Sequence, residues 1–187
     1  MAEIAGNEEL PDFRYHPDPV GTESIQPSND HCRCCERPRG FIYVGPVYAD
    51  DNLEDTLCPW CIADGSAHQQ YDAAFTDAAG VGLGWEPVPT RVVEEVSFRT
   101  PGFAGWQQER WVTHCGDASA YLGQADGTDL AGKWAEAVPA IRTDTKMSDE
   151  EWDALFTSLS KGPTGSPTAY VFRCVHCGAL SGYWDSH

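Results

Sequence analysis

Hydrophobic positions along this chain follow two different spacings. Thr168-Ala-Tyr-Val-Phe-Arg173 and Leu180-Ser-Gly-Tyr-Trp184 are rich in aromatic and β-branched residues, and predict the two arms of a hairpin. Phe41-Ile-Tyr-Val-Gly-Pro-Val-Tyr48 is apolar on both faces, which predicts buried strands interrupted at Gly45-Pro46. Helical spacing appears between these segments. Ile62 to Ala74 places Ile62 and Tyr71, with Phe75 just beyond, among alanines and polar residues, and predicts an amphipathic helix that ends before Gly80 to Gly84. Pro89 can open a further helix, with Val92, Val93 and Val96 on one face and Glu94 and Glu95 on the other, stopped by Thr100-Pro-Gly102. Ser148-Asp-Glu-Glu151 is a capping box that opens a helix from Asp149 to Leu159, with Trp152, Leu155, Phe156 and Leu159 as its buried stripe. Gly162 to Pro167 is a break before the hairpin.

The remaining segments read as extended chain. Leu10 to Pro19 cannot be helical, because Pro17 and Pro19 push the residues before them out of the α region; Phe13 and Tyr15 can pin it to the body. His16 within it reads as an exposed or hydrogen-bonded loop histidine. Gly105-Trp-Gln-Gln-Glu-Arg-Trp-Val112 holds enough indoles and amides to orient a polar ligand. The plainer reading is a tryptophan-anchored core segment whose amides satisfy nearby backbone. Residues 1–9 read as a flexible acidic tail, and 10–187 as a single domain.

Cysteine spacing adds chemistry to this outline. Cys32-Arg-Cys-Cys35 and Cys58-Pro-Trp-Cys61 are two C-x-x-C pairs separated by 22 residues, a pattern that brings four thiolates onto one structural zinc ion. Cys174-Val-His-Cys177 is a third such pair. Gly178 follows it, able to take the positive φ at which a knuckle turns its amides towards sulfur. Of the eight cysteines, Cys34 and Cys115 remain. Cys115, in His114-Cys-Gly-Asp117, can return to the late pair and build a second zinc site, with His114, Asp117, His176 and His187 as candidates for the fourth ligand. His114 is the choice made here. Adjacent residues on a strand point to opposite faces, so His114 and Cys115 share an ion only if the chain turns sharply, which Gly116 permits. Asp117 has an alternative role as the N-cap of a helix starting near Ala118, and Cys34 reads as a spare buried thiol. The start of the chain has no basic and apolar signal pattern, which argues against disulfides. Four thiolates also suit an iron–sulfur cluster, and spacing does not decide between the metals. The expected fold class is α+β, with zinc-ribbon-like β hairpins pinned by one or two zinc sites and several short helices. The first zinc subregion spans about 30–76, and the second is built from about 111–119 and 168–187.

Charge then narrows the partners. With 12 Lys and Arg against 29 Asp and Glu, the formal charge is -17, which disfavours direct binding to a phosphate backbone and favours a basic protein partner. No apolar run approaches the ~20 residues needed to cross a bilayer, so a soluble, cytoplasmic protein without membrane contact is expected.

Phe13-Arg-Tyr-His-Pro-Asp-Pro19, Cys32 to Tyr48, Leu57-Cys-Pro-Trp-Cys-Ile-Ala-Asp-Gly65, Thr100-Pro-Gly-Phe-Ala-Gly-Trp-Gln-Gln-Glu109 and Phe172-Arg-Cys-Val-His-Cys-Gly178 together resemble the CbrC-like family of bacterial proteins, over almost the whole chain. That resemblance implies a label of colicin tolerance and a role in protecting cells against protein toxins. Ser119 stands where some relatives are expected to carry another cysteine. The resulting expectation is an intracellular zinc-binding interaction protein of the toxin-tolerance or immunity type, whose acidic surface engages a basic partner such as a bacterial toxin. The alternative is a zinc-dependent hydrolase, with Cys115, Cys174 and Cys177 holding the ion, an open position for water, and Asp117 or Glu109 as the base.

Overall fold

The computed structural model describes residues 8–145, 147–162 and 165–187. Residues 1–7 of the expected tail, and Pro163 and Thr164 of the expected break, lie outside that range. Glu8 is ion-paired to Arg37 and Arg39, and the Trp60 indole donates to the Glu9 carbonyl at 3.2 Å.

The molecule is mixed α+β, with antiparallel sheets and short helices. A two-stranded sheet joins β1 (Ile25–Pro27) to β2 (Phe41–Tyr43). The apolar run from Phe41 keeps ladder pairing only to Tyr43, and after Gly45-Pro46 it returns as a single bridge between Tyr48 and Ala74. The helix expected over 62–74 forms as two pieces, α1 (Pro59–Ala63) and α2 (Ser66–Tyr71). Gly65 sits between them at φ +79°, a left-handed conformation that ends one helix and starts the next. The Arg99 guanidinium takes the freed Ala63 carbonyl with two bonds of 3.0 and 2.9 Å. Helix α3 (Thr90–Arg99) follows Pro89 and buries Val92 and Val96.

The larger sheet has four antiparallel strands in sequence order: β3 (Thr113–His114), β4 (Asp117–Ala125), β5 (Thr168–Cys174) and β6 (Leu180–Asp185). The predicted hairpin is β5–β6, with Tyr170 opposite Tyr183 and Phe172 opposite Ser181. Because side chains alternate along a strand, Tyr170 and Phe172 pack with Trp111, Phe103, Tyr121 and Tyr183 on one face, while Ala169 and Val171 meet the helical layer on the other. That layer consists of α4 (Gly127–Ala131), α5 (Val138–Thr145) and α6 (Asp149–Ser158). The capping box at Ser148 forms as expected, Ser148 Oγ accepting from the Glu151 amide and the Glu151 carboxylate from the Ser148 amide. Trp152, Leu155 and Leu159 are buried against the sheet, with Phe156 partly buried beside them.

Candidate metal centres

The first cluster forms where two backbone turns meet. Cys32 and Cys35 lie in a turn after β1, while Cys58 caps α1 and Cys61 sits inside it, so Pro59 at the first helical position sets the second pair. Cys32 Sγ is 3.8 Å from Cys61 Sγ, Cys35 Sγ is 3.8 Å from Cys58 Sγ, and Cys58 and Cys61 are 3.5 Å apart. A tetrahedron with Zn–S bonds of ~2.3 Å has edges of ~3.8 Å, so these spacings fit one tetrahedral ion. Cys32 Sγ also accepts the Cys58 amide at 3.2 Å. The site is walled by Tyr43, Leu57, Ile62 and Phe75. Without an ion the thiols compete: hydrogen bonds from Cys58 and Cys61 favour the Cys32 thiolate, and the same contacts push the Cys58 thiol up to about 12 and Cys61 higher still. All four could ionise together only with a cation between them.

The second cluster depends on a tight reversal. Cys115 and Gly116 take φ values of +56° and +72°, the pattern of a two-residue type I′ turn joining β3 to β4. This turn lets neighbouring residues converge. His114 Nδ1 lies 3.2 Å from Cys115 Sγ and 3.5 Å from Cys177 Sγ, and with Cys174 the four donor atoms all fall within 4.8 Å of one another. Mixed N–S edges of a zinc tetrahedron are ~3.5 Å. The late knuckle turns as expected, with Gly178 at φ +77° and the amides of His176 and Cys177 3.4 and 3.5 Å from Cys174 Sγ. Burial disfavours the Cys174 thiolate, but those amides outweigh it and bring the thiol down to about 6.

Placing Cys115 in the left-handed region costs about 1 kcal/mol. Glu86 offsets this: its carboxylate accepts the Cys115 amide at 2.9 Å and the Gly116 amide at 3.0 Å, while its own carbonyl accepts from Thr113 Oγ1 at 2.5 Å. Nothing in the sequence pattern points to Glu86, which lies 29 residues before the turn it holds.

Other candidates fall elsewhere. Asp117 does not cap a helix; it opens β4, because the turn at Cys115-Gly116 sends the chain straight back into a strand. Its carboxylate accepts from Arg14, Tyr15, His176 and the Ala118 amide at 2.7 to 2.9 Å. Burial would raise its carboxyl, but the bonds from Tyr15 and His176, the amide and the Arg14 charge together hold it below the usual carboxylate range. His176 is thereby directed to Asp117, and His187 packs on the Trp106 ring at 4.0 Å. Cys34 is half-buried, not buried, with Ser66 Oγ and Gln70 Oε1 each 3.5 Å from its sulfur. Glu109 is buried and accepts from Tyr48, Gln108 and the Asp77 amide. In the aromatic and amide segment around it, Trp111 and Val112 are buried in the core, while Trp106 is partly buried and Gln107 and Gln108 are exposed: the Trp111 indole donates to the Ser119 carbonyl, Trp106 to Gly165 and Gln107 to Ser186. His16 is fully buried, with Nδ1 2.7 Å from the Pro101 carbonyl and Nε2 2.6 Å from Thr22 Oγ1. A separate cleft of ≈ 970 Å³ is lined by Phe103, Trp106, Tyr121, Trp134, Lys133 and Lys161 among others, and contains no residue of either cluster. Both of its lysines are ion-paired with Asp129.

Fold and sites together define an α+β protein carrying two cysteine-rich clusters compatible with metal binding. The chain belongs to the Uncharacterised protein family UPF0167, whose profile matches residues 10–186. It is 46% identical over 189 residues to the UPF0167 protein Mb2317 of Mycobacterium bovis, covering 99% of this chain and 98% of that one. The UPF0167 protein PA1536 of Pseudomonas aeruginosa is 41% identical over 173 residues, covering 92% and 94% respectively. No solved structure matches the chain. Among the described residues, no helix is long and apolar enough to cross a membrane.

Proposed function

We propose that this is a cytoplasmic zinc-binding interaction protein, in which two structural zinc ions staple the domain through ribbon-like knuckles and an acidic surface engages a basic protein partner. The observation that carries the reading is the closed donor set of the second cluster, where His114 Nδ1 stands 3.2 and 3.5 Å from two of the three sulfurs. Three thiolates and one imidazole complete a tetrahedron, which is how structural zinc is held. Cys32, Cys35, Cys58 and Cys61 would hold the first ion, and His114, Cys115, Cys174 and Cys177 the second. The hydrolytic alternative needs an open coordination position and a free base. Four donors argue against the first requirement, and the hydrogen bonds already made by Asp117 and Glu109 argue against the second.

The partner half of the proposal rests on charge. A net -17 attracts a basic protein and speeds its encounter. The resemblance to CbrC-like, colicin-tolerance proteins makes a basic bacterial toxin the partner to test, and nuclease toxins are basic because they must hold phosphate. Elemental analysis of wild type and Cys115→Ser should give two zinc ions per chain falling to one. Titration calorimetry against a basic toxin whose killing the protein suppresses should show binding that weakens with added salt. Suppression of a toxin without binding at any ionic strength would remove the partner reading and leave the zinc assignment standing.

A further inference from the structure

The second cluster differs from the first in what its sulfurs face. Cys115 and Cys177 are exposed, whereas Cys32, Cys58, Cys61 and Cys174 are buried and Cys35 is half-buried. The amide bonds are distributed just as unevenly. The amides of His176 and Cys177 bond Cys174 Sγ, those of Cys58 and Cys35 favour the Cys32 thiolate and that of Cys61 the Cys58 thiolate, while Cys115 and Cys177 combine exposure with no amide bond to sulfur among the described residues. An N–H donor aimed at a thiolate withdraws the electron density a nucleophile uses, so sulfurs without donors keep more of it. Three thiolates and a neutral imidazole around a divalent zinc leave one net negative charge at the surface, and Glu86 places a carboxylate against the same turn.

We propose that the zinc-loaded second cluster is a nucleophilic site, at which Cys115 or Cys177 accepts an alkyl group from a soft, uncharged electrophile. This rests on the zinc reading above and goes beyond it, since a purely structural site needs no reactive sulfur. The sulfur lone pair forms the S–C bond as the bond from carbon to its leaving group breaks, and the leaving group departs to solvent with that electron pair. No proton moves, because the sulfur starts as a thiolate. The product is a thioether, a neutral and weaker donor, and the site loses its net negative charge. Negative charge around the turn selects against anionic electrophiles, so iodoacetamide should react in preference to iodoacetate.

The test uses the full chain carrying Cys34→Ser, which removes the half-buried thiol outside both clusters. Native mass spectrometry counts zinc before and during brief treatment with iodoacetamide, and peptide mapping locates the label. The expected result is a first-formed singly alkylated species that still carries two zinc ions, labelled at Cys115 or Cys177 roughly tenfold faster than at any first-cluster cysteine, since burial shields Cys35 and Cys61 and amide bonds, each of about that scale, also quiet Cys32 and Cys58. Labelling of the two clusters at similar rates in a two-zinc protein overturns the inference and leaves the zinc reading intact. Label that first appears on species already lacking one zinc overturns it too, because a metal-free thiol was then the nucleophile. An unmodified protein with fewer than two zinc ions removes the zinc reading and this inference together.

Discussion

The two clusters use similar donors in opposite surroundings. In the first, three of four cysteines are buried and the fourth half-buried, packed among Tyr43, Leu57, Ile62 and Phe75; in the second, only Cys174 is buried and His114, Cys115 and Cys177 face solvent. A metal inside a core replaces apolar contacts that the surrounding chain does not make. The first half of the molecule has only a two-stranded sheet and two short helices around its cluster, whereas the second cluster sits at the end of a four-stranded sheet that has an aromatic face and a helical layer of its own. The two donor sets therefore differ in setting: an ion held at the first would sit within a core, and one held at the second would close the tip of a sheet already held by packing.

Breaking the first cluster should have the largest effect. Structural zinc contributes an apparent ~10–16 kcal/mol in small zinc domains, as much as the ~5–15 kcal/mol total stability of a typical domain. Cys61→Ser is expected to abolish the cooperative unfolding of residues around Tyr43 and Phe75, read as lost protection of their amides in hydrogen exchange. Cys177→Ser should leave that protection in place and loosen only the β3–β4 turn and the late knuckle. Equal, global unfolding in both variants would erase the distinction between the clusters.

A second effect lies where the amino-terminal segment is fastened to the sheet-based half. Arg14 and Tyr15 bind Asp117, and His16 is buried edge-on to Tyr121 with its Nδ1 proton donated to the Pro101 carbonyl. Burial pushes His16 down from its ordinary 6.5 to about 4, although the Pro101 bond and Asp18 oppose the shift. Above 6.5 the ring is neutral in both folded and unfolded chains, and its environment is fully compatible with folding. As pH falls through the window from 6.5 to 4, the unfolded chain takes up a proton that the folded chain refuses, and stability drops by up to ~3 kcal/mol. Denaturant unfolding at about pH 7 and about pH 5 should show about 2 kcal/mol of this loss in wild type and a flatter response in His16→Gln, since thiolate protonation is common to both proteins. Identical slopes would mean that His16 does not contribute.

How much of this the sequence disclosed follows from how local each feature is. The C-x-x-C pairs, the capping box at Ser148 and the β5–β6 hairpin are encoded within a few residues, and each is legible in spacing alone. His114 was legible for a similar reason, because only a sharp turn allows it to join Cys115 and Gly116 stands where that turn must be. The split between α1 and α2 was hidden, since the apolar spacing runs through Gly65 while the backbone reverses there and Arg99, far along the chain, takes the carbonyl. Helix α4 has only five residues and ends at Gly132, and α5 carries Pro139 in its first turn, so both are too short to show a clear helical period. Asp117 was open to two readings because its partners Arg14, Tyr15 and His176 come from two distant segments.

Glu86 is the clearest of these hidden residues, and it supplies the smallest and most discriminating effect. Its carboxylate touches no donor atom of the cluster, yet both of its oxygens hold the amides of the turn that lets His114 and Cys115 face one ion. Glu86→Gln keeps one acceptor oxygen and loses the other, so one amide of the left-handed pair is released to water. Groups that orient ligands from outside the coordination shell typically change metal affinity 10- to 100-fold, and for an exposed carboxylate the lower end, about tenfold, is expected. Competition with a chromogenic chelator should then show the second zinc leaving faster in Glu86→Gln, and faster still in Glu86→Ala, while the first zinc leaves at the wild-type rate. Because the first cluster lies in a core that Glu86 does not touch, acceleration of both zinc ions would mean a general loss of stability in place of a released turn. Acceleration of the second alone would show that the exposed cluster owes its retention to the backbone turn beneath it, as the buried cluster owes its own to the core.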